Sequence, residues 1–334
     1  MSLPPVEVPT GAMRFNSDSQ KLEYYDGAQW LQVSTFSPLL NGGARGLFFG
    51  GFTPGPTTYN IIDYITISTT GNATDFGDIS STNRYGAACS SSTRGLYGGG
   101  YNPSLDNVIV FVTISSTGNT SSFGNLSQNR RGNSSGSNST RGIFSGGYNP
   151  TAFNTIDYVT IASTGNAQDF GDLTTARFQQ LGTVCSSTRC VQGGAELGAT
   201  DSNILDYITI ASTGNATDFG DLTNGGDSAG CNGGCSNSTR GLFAYARIGQ
   251  TTVNNIDYIT IASIGNATDF GDASIVGEHC AVSSTIRGVF ASSNPSGNDI
   301  TYSTIATTGN TTDFGELTLS RTQLSACSNA HGGL

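Results

Sequence analysis

Short alternating stretches of apolar and polar residues recur along the chain from Arg45 onward. In each stretch, β-branched or aromatic residues alternate with small or polar ones, as in Tyr158-Val-Thr-Ile-Ala, and Gly, Asn or Pro separates it from the next. This period of two predicts β-strands, because successive side chains of a strand point to opposite faces of a sheet. No stretch places apolar residues at three- and four-residue intervals over two turns, so we expect an all-β protein.

The alternating stretches belong to a unit of roughly 48 residues that occurs six times. Each unit has an Arg, a Gly-rich run, the alternating stretch, a Gly-Asn turn, a segment centred on Phe, and a stretch of small residues before the next Arg. The opening arginines are Arg45, Arg94, Arg141, Arg189, Arg240 and Arg287. Four strands per unit predict a six-bladed β-propeller over residues 45–334, with an open stack or a prism of repeats as the alternative. The Gly-Asn pairs suit tight hairpin turns.

The two ends of the repeat array complement each other. The array begins with a second-strand segment at Arg45 and finishes with a first-strand segment that runs from Arg321 to His331. We therefore expect the C-terminal strand to complete the first blade, because a shared sheet covers two otherwise exposed edges.

The repeat resembles a kelch blade, which carries a double Gly at the end of its second strand and an aromatic residue on its third. The double Gly occurs at Gly50/Gly51, Gly99/Gly100, Gly146/Gly147 and Gly193/Gly194. The fifth and sixth units lack it, and Phe replaces the Trp typical of the family's fourth strand. The resemblance implies a propeller architecture and specifies almost nothing about function.

The first 44 residues differ from the repeats. Gly11-Ala-Met-Arg-Phe-Asn and Leu22-Glu-Tyr-Tyr-Asp-Gly-Ala-Gln-Trp alternate like two strands, which predicts a β-hairpin. A hairpin this short cannot bury a core alone, so it must dock on its own propeller or on a partner.

This N-terminal segment resembles a module found near the ends of phage tail-fibre and other virion structural proteins. The repeat is also similar to repeats in structural proteins of marine and cyanobacterial phages. These resemblances imply a protein of the phage particle surface, tail or fibre, whose N-terminal segment attaches to other virion proteins. They also imply a homo-oligomer, with a trimer expected from fibre-like relatives. The residues expected to make the attachment are Arg14, Phe15, Tyr24, Tyr25 and Trp30.

Composition narrows the classes of partner. The net charge is −10 and Lys21 is the single Lys, so the chain has no basic stripe for a phosphate backbone and nucleic-acid binding is not expected. No apolar run approaches the roughly 20 residues that a membrane-spanning helix needs. Only 11% of residues are charged, which predicts a surface of Ser, Thr, Asn and Gly typical of extracellular or virion β proteins.

Cysteines and repeated carboxylates are the candidate metal ligands of this chain. Most of the seven cysteines lie in the small-residue strand before each Arg, which favours buried thiols. Pairing of Cys185 with Cys190, or of Cys231 with Cys235, is left open by the sequence. Repeated Asp residues in turns suit either Ca²⁺ or side-chain bonds to the backbone, without the dense spacing of a calcium loop. We predict no metal site and no cofactor.

Two classes of function compete. In the first, the chain is a non-enzymatic virion appendage whose propeller binds a host-surface glycan or protein. In the second, it is a carbohydrate-active enzyme, a glycan hydrolase or lyase, which would need carboxylates or a His clustered on one face. The evenly repeated carboxylates favour the first class. Exposed residues that break the repeat symmetry are the expected ligand contacts: Arg130, Arg131, Arg177, Tyr245, Arg247 and His279.

Overall fold

A computed structural model describes residues 8–16, 21–32, 43–55, 57–178, 182–194, 202–223, 229–248, 251–292 and 297–334. The chain divides into two compact units, Met1–Asn41 and Gly42–Leu334. Every regular element in the described residues is a β-strand, which confirms the expected all-β class. No helix in these ranges is long and apolar enough to cross a membrane.

The N-terminal unit is a three-stranded antiparallel sheet of β1 (Met13–Asn16), β2 (Lys21–Tyr25) and β3 (Trp30–Gln32). The third strand goes beyond the predicted hairpin. It forms because Asp26 makes a compact turn, in which its Oδ1 accepts hydrogen bonds from the backbone N–H groups of Ala28 and Gln29, both at 2.8 Å.

The described part of Gly42–Leu334 contains antiparallel sheets that share one strand order, numbered here as sheets 1 to 6. Sheet 1 contains β30 (Ser325–Ser328), β4 (Arg45–Phe49), β7 (Ile61–Thr66) and β8 (Thr74–Asp78), in that order. A separate ribbon pairs β5 (Phe52–Thr53) with β6 (Thr57–Thr58). Sheet 2 contains β9 (Ala87–Ser90), β10 (Arg94–Tyr101), β11 (Leu105–Thr113) and β12 (Ser121–Asn125). Sheet 3 contains β13 (Ser134–Ser137), β14 (Arg141–Ser145), β15 (Thr155–Thr160) and β16 (Gln168–Asp172).

Sheet 4 contains β17 (Gly182–Cys185), β18 (Arg189–Gly193), β19 (Ile204–Thr209) and β20 (Thr217–Asp221). Sheet 5 contains β21 (Ala229–Ser236), β22 (Arg240–Ile248), β24 (Asn255–Thr260) and β25 (Thr268–Asp272), with β23 (Thr251–Thr252) paired to β22. Sheet 6 contains β26 (His279–Ser283), β27 (Arg287–Ser292), β28 (Asp299–Thr304) and β29 (Thr312–Glu316).

Sheet 1 joins the two ends of the repeat array. The C-terminal β30 pairs antiparallel with β4, with Ser325 opposite Phe49 and Ser328 opposite Gly46. This is the pairing expected for the C-terminal strand. The first strands of successive sheets also contact one another, and β30 contacts the first strands of both sheet 6 and sheet 2.

The hydrophobic core lies between consecutive sheets. Between sheets 1 and 2, for example, Phe49 and Phe76 pack in one cluster with Tyr97 and Val110. Equivalent clusters fill each successive sheet interface, including the one between sheets 6 and 1. The recurring Phe is therefore a core residue in each unit.

The Gly-Asn pairs join neighbouring sheets and do not form the tight hairpin turns we expected. Gly214, at φ 156°, donates its N–H to Phe170 O of the preceding sheet at 2.7 Å. Asn215 Oδ1 accepts the N–H of Asp172, also in the preceding sheet, at 3.1 Å. The same side-chain bond recurs at every sheet interface, and Glu316 N to Asn72 Oδ1 joins sheet 6 to sheet 1.

The repeat arginines fasten each sheet to the next. Arg141 Cζ lies 4.8 Å from the ring centre of Tyr158 in its own sheet, and its Nη1 donates to Ile210 O of the next sheet at 2.9 Å. The other five opening arginines make the same two contacts. Their recurrence follows from this structural role.

A serine near the end of the first strand bonds each sheet to the one before it. Ser137 Oγ donates to Ser90 O at 2.7 Å, and equivalent bonds of 2.8 Å follow from Ser90, Ser328, Ser283 and Ser236. In sheet 4 the equivalent residue is Cys185, whose sulfur forms a disulfide with Cys190. Cys89, Cys235, Cys280 and Cys327 are buried free thiols, as expected, so Cys235 does not pair with Cys231.

Candidate ligand-binding site

Two adjoining cavities lie among the first strands of the sheets. The larger, of about 110 Å³, lies at the beginnings of these strands and is lined by residues such as Tyr85, Asn133, Glu278 and Gln323. The smaller, of about 60 Å³, lies at the strand ends among the serines described above. Both are lined by Ala88, Ser135, Thr183, Gly234, Ala281 and Ala326, so they share walls.

The C-terminal residues lie across the end of the smaller cavity. His331 Nε2 is 3.0 Å from Ser90 O, and its Nδ1 accepts the N–H of Gly333 at 3.1 Å. Gly332 N donates to Ser236 O at 2.9 Å. A Cβ on Gly332 or Gly333 would come within 2.1 Å of a backbone oxygen, so only glycine fits here. The tail therefore covers this end, and the larger cavity is the better candidate for a ligand.

Backbone strain marks the rim of the larger cavity. Tyr85 and Gln323 have φ values of 60° and 61°, in the left-handed region that non-glycine residues rarely adopt. Both line the cavity, and the Tyr85 N–H donates to Gln323 O at 3.2 Å. This left-handed conformation allows the hydrogen bond between the rims of sheets 1 and 2. The conformation itself costs roughly 1–3 kcal/mol per residue.

Arginine and aromatic side chains alternate beside this rim. We call Phe52, Arg84, Tyr85, Tyr101, Arg131 and Tyr148 the rim row. Arg84 Cζ lies 4.1 Å from the Phe52 ring centre and 5.4 Å from that of Tyr101. Arg131 Cζ lies 5.5 Å from the Tyr101 centre and 5.4 Å from that of Tyr148. All six side chains are half-buried, so the row is accessible to solvent.

Double glycines place the aromatic residues of the rim row. Gly99 and Gly100, at φ 72° and 117°, bend the end of β10 so that Tyr101 bridges to Arg84. The double glycines before Phe52 and Tyr148 have similar positive φ values, of 61° and 114° and of 63° and 110°, and Tyr148 bridges to Arg131. A side chain at Gly100 would lie 2.1 Å from Asn83 Oδ1, which explains the need for glycine.

Four of the six predicted ligand contacts are buried, contrary to the exposure we expected, and three of these four bond a carboxylate. Arg130 and Arg177 have fully buried side chains that form ion pairs with Asp157 and Asp206 of the next sheet. Burial lowers the pKa of both guanidinium groups, while the carboxylates oppose this shift. Tyr245 is also buried, and its hydroxyl is hydrogen-bonded to the Asp257 carboxylate. These side chains stabilise sheet interfaces.

The other predicted contacts are divided. His279 is 2% exposed, and burial lowers its pKa to about 4. Arg131 belongs to the rim row. The side chain of Arg247 lies outside the described residues. The structure therefore does not bring the predicted contacts into one site, and beside Phe52 it adds Arg84, Tyr101 and Tyr148, which the sequence reasoning missed. An aromatic residue directly after the double Gly was the available signal.

The predicted attachment residues occupy two faces of the N-terminal sheet. Arg14 pairs with Glu23 at 2.9 Å and lies 4.2 Å from the Trp30 ring centre, and Trp30 packs on Tyr25 at 5.5 Å. Phe15 and Tyr24 are on the opposite face with Met13 and Leu22. Phe15 is 66% exposed, Met13 61%, Tyr24 39% and Leu22 37%. This unit thus has an uncovered apolar face.

Comparisons with known proteins found no match that bears on this site. No protein-family model matches the chain, and no curated protein matches it. In the described residues, no group of three or more His, Cys, Asp or Glu is placed to hold a metal ion.

Proposed function

We propose that sheets 1 to 6 are the blades of a closed, kelch-like six-bladed propeller. Three repeated contacts support this: the arginine to carbonyl bond, the asparagine to backbone bond and the serine to carbonyl bond. Each occurs between sheets 6 and 1 as it does elsewhere, through Arg287 with Ile67, Glu316 with Asn72, and Ser328 with Ser283. A closed ring covers the sheet faces that an open stack would leave exposed at its two ends and leaves only short sheet edges, which favours this arrangement.

We propose further that the protein is a non-enzymatic virion component, on a phage tail, fibre or particle surface, and that the propeller binds a host-surface glycan or protein. The observation that carries the binding role is the rim row, because half-exposed arginines without a carboxylate partner are not required by the repeat. Strained residues at the same rim are consistent with a functional site. The phage assignment is supported by the resemblances of the repeat and the N-terminal segment.

The N-terminal unit is proposed to attach the protein to other virion proteins. Its apolar face, Met13, Phe15, Leu22 and Tyr24, offers an area that a partner would remove from water. A trimer is one assembly that would cover it. The double substitution Phe15→Ser/Tyr24→Ser should abolish incorporation into particles while leaving the melting temperature of the propeller unchanged. Unchanged incorporation would contradict this role.

Competition for adsorption tests the binding role. Purified protein, added in excess to host cells before phage, should reduce adsorption in proportion to its concentration, whereas the same protein after heat denaturation should not. Undiminished adsorption would contradict host binding and favour an architectural role. Degradation of the host polysaccharide by the purified protein would instead favour the alternative, a carbohydrate-active enzyme.

A further inference from the structure

We infer that the rim row binds an acidic saccharide, with Arg84 and Arg131 bonding its anionic groups and the aromatic rings packing against its sugar rings. This inference rests on the proposed function and narrows it to a class of ligand.

Charge is the first reason. Among the described residues, neither Arg84 nor Arg131 forms an ion pair, although the chain carries a net charge of −10. The other described arginines pair with a carboxylate or belong to the repeated sheet contacts. Two neighbouring cations repel each other, and an anionic ligand would relieve that repulsion.

The orientation of the guanidinium groups is the second reason. A guanidinium stacked between aromatic rings has its faces covered, while its N–H donors point outward in its own plane. In the described residues the Arg84 guanidinium makes one hydrogen bond, from Nη1 to Gln323 Oε1 at 3.4 Å. In-plane donors with this freedom suit a carboxylate or sulfate, which can accept two parallel bonds.

Both arginines can serve one ligand. Their guanidinium carbons lie 5.4 and 5.5 Å from the centre of the same Tyr101 ring. Tyr85 stands within 5.7 Å of both and also lines the larger cavity. A chain of sugars with repeated acidic groups fits this alternation of cation and ring better than a single small anion.

The neighbouring cavity supplies polar partners for hydroxyl groups. Asn133 is 8% exposed and lines the cavity, and its Oδ1 has no hydrogen-bond partner while its Nδ2 donates to Gly98 O at 3.4 Å. Ser135, Thr183 and Ser325 add hydroxyl groups to the same wall. An unpartnered buried acceptor is costly unless a ligand or water bonds it, and a sugar hydroxyl provides that bond.

The test is calorimetric titration of the full chain with three probes: hexagalacturonate, a sulfated carrageenan hexasaccharide and neutral cellohexaose. We expect an acidic probe to bind and cellohexaose not to bind, with affinity falling as salt is raised. The double substitution Arg84→Gln/Arg131→Gln should weaken binding roughly 10- to 100-fold per lost charge-assisted contact. Lys21→Gln, which removes one positive charge from the N-terminal unit, should leave the affinity unchanged.

Several outcomes would overturn the inference. These are equal binding of cellohexaose, no binding of either acidic probe, or undiminished affinity in the double variant. If that variant does not fold, Arg84→Lys/Arg131→Lys keeps the charge but loses the planar stacking, and it should bind more weakly than the parent. Competition for adsorption without acidic-saccharide binding would refute only this inference. Acidic-saccharide binding without competition would refute only host recognition.

Discussion

Arg321 allows the proposed closure of the ring to be tested. Its side chain is fully buried at the end of the chain, and its Nη1 lies 3.0 Å from Oδ2 of the buried Asp63 in sheet 1. Its Nε also donates to Gly50 O at 2.7 Å. The substitution Arg321→Met keeps much of the side-chain volume but removes all of these donors.

The expected loss follows from the carboxylate that remains. Without Arg321, Asp63 keeps only the bonds from Thr318 N at 3.1 Å and Thr318 Oγ1 at 2.6 Å. Breaking a buried ion pair from one side typically costs about 3–5 kcal/mol. For a domain of this size, about 2 °C of melting temperature is lost per kcal/mol, so we expect a fall of roughly 6–10 °C.

Arg130→Met is the matched control, because Arg130 forms the equivalent pair with Asp157 between sheets 2 and 3. Thermal unfolding followed by near-ultraviolet circular dichroism should show similar losses for both variants. The double variant Arg321→Met/Asp63→Leu should recover much of the loss, since no charge is then left buried. If Arg321→Met melted like the parent while Arg130→Met did not, the tail would not be packed on sheet 1 and closure would be refuted.

Three further predictions test the packing. Burial lowers the pKa of His279 to about 4, against about 6.5 in the unfolded chain. Between these two pH values the unfolded chain binds a proton at His279 and the folded protein does not. Up to about 3 kcal/mol of stability should therefore be lost as the pH falls from about 6.5 to about 4. Urea titrations at pH 7 and 4.5 should show a smaller pH dependence in His279→Leu. Gly171→Ala should destabilise by more than about 2 kcal/mol, because its Cβ would lie 2.4 Å from a carbonyl oxygen of the next sheet at a φ of 144°. Gly165→Ala, with open space around it, should cost less than about 1 kcal/mol in the same urea assay. Peptide mapping without reductant should recover Cys185 linked to Cys190, and separate alkylated peptides would contradict that bond.

The strands could be predicted because hydrophobic alternation depends on local sequence. The pairing of the C-terminal β30 with β4 could be predicted because the repeat array begins with a second strand and ends with a first strand. The roles of Arg130 and Arg177 were not predicted, because these arginines were compared with the opening arginines of the units and not with each other. Both stand seven residues after the recurring Phe, as does Arg321, and each has an Asp on the third strand of the next sheet. Counting from the Phe would have revealed three equivalent ion pairs.

The same position explains why the interfaces differ. Where Asn83 replaces Arg, the residue at the Asp position in the next sheet is Val110, so no carboxylate is left buried and unpaired. At this interface the two positions vary as a matched pair, so no charge is left buried there.

The rim row was missed for a different reason. Its contacts depend on where two positive-φ glycines direct the end of a strand, and on the approach of a loop from the sheet before it. Neither is encoded by hydrophobic alternation. The Gly-Asn pairs were misinterpreted on similar grounds, because their partners lie in the preceding unit and a hairpin needs only local sequence.

Function is best sought in the residues that the repeat does not require. Six arginines stack on an aromatic side chain of the third strand in their own sheet and donate a hydrogen bond to the next sheet. Three more form an ion pair with a buried Asp. Substitution of any of these nine would therefore disturb folding, whatever the protein binds. Arg84 and Arg131 have neither role. In the sequence, the fourth unit has Ala195 after its double Gly, where the first three units have the rim aromatics. Sheets built from duplicated units can therefore change Arg84, Arg131 and their aromatic neighbours without losing an interface. That independence is what a surface selected for binding different hosts would need.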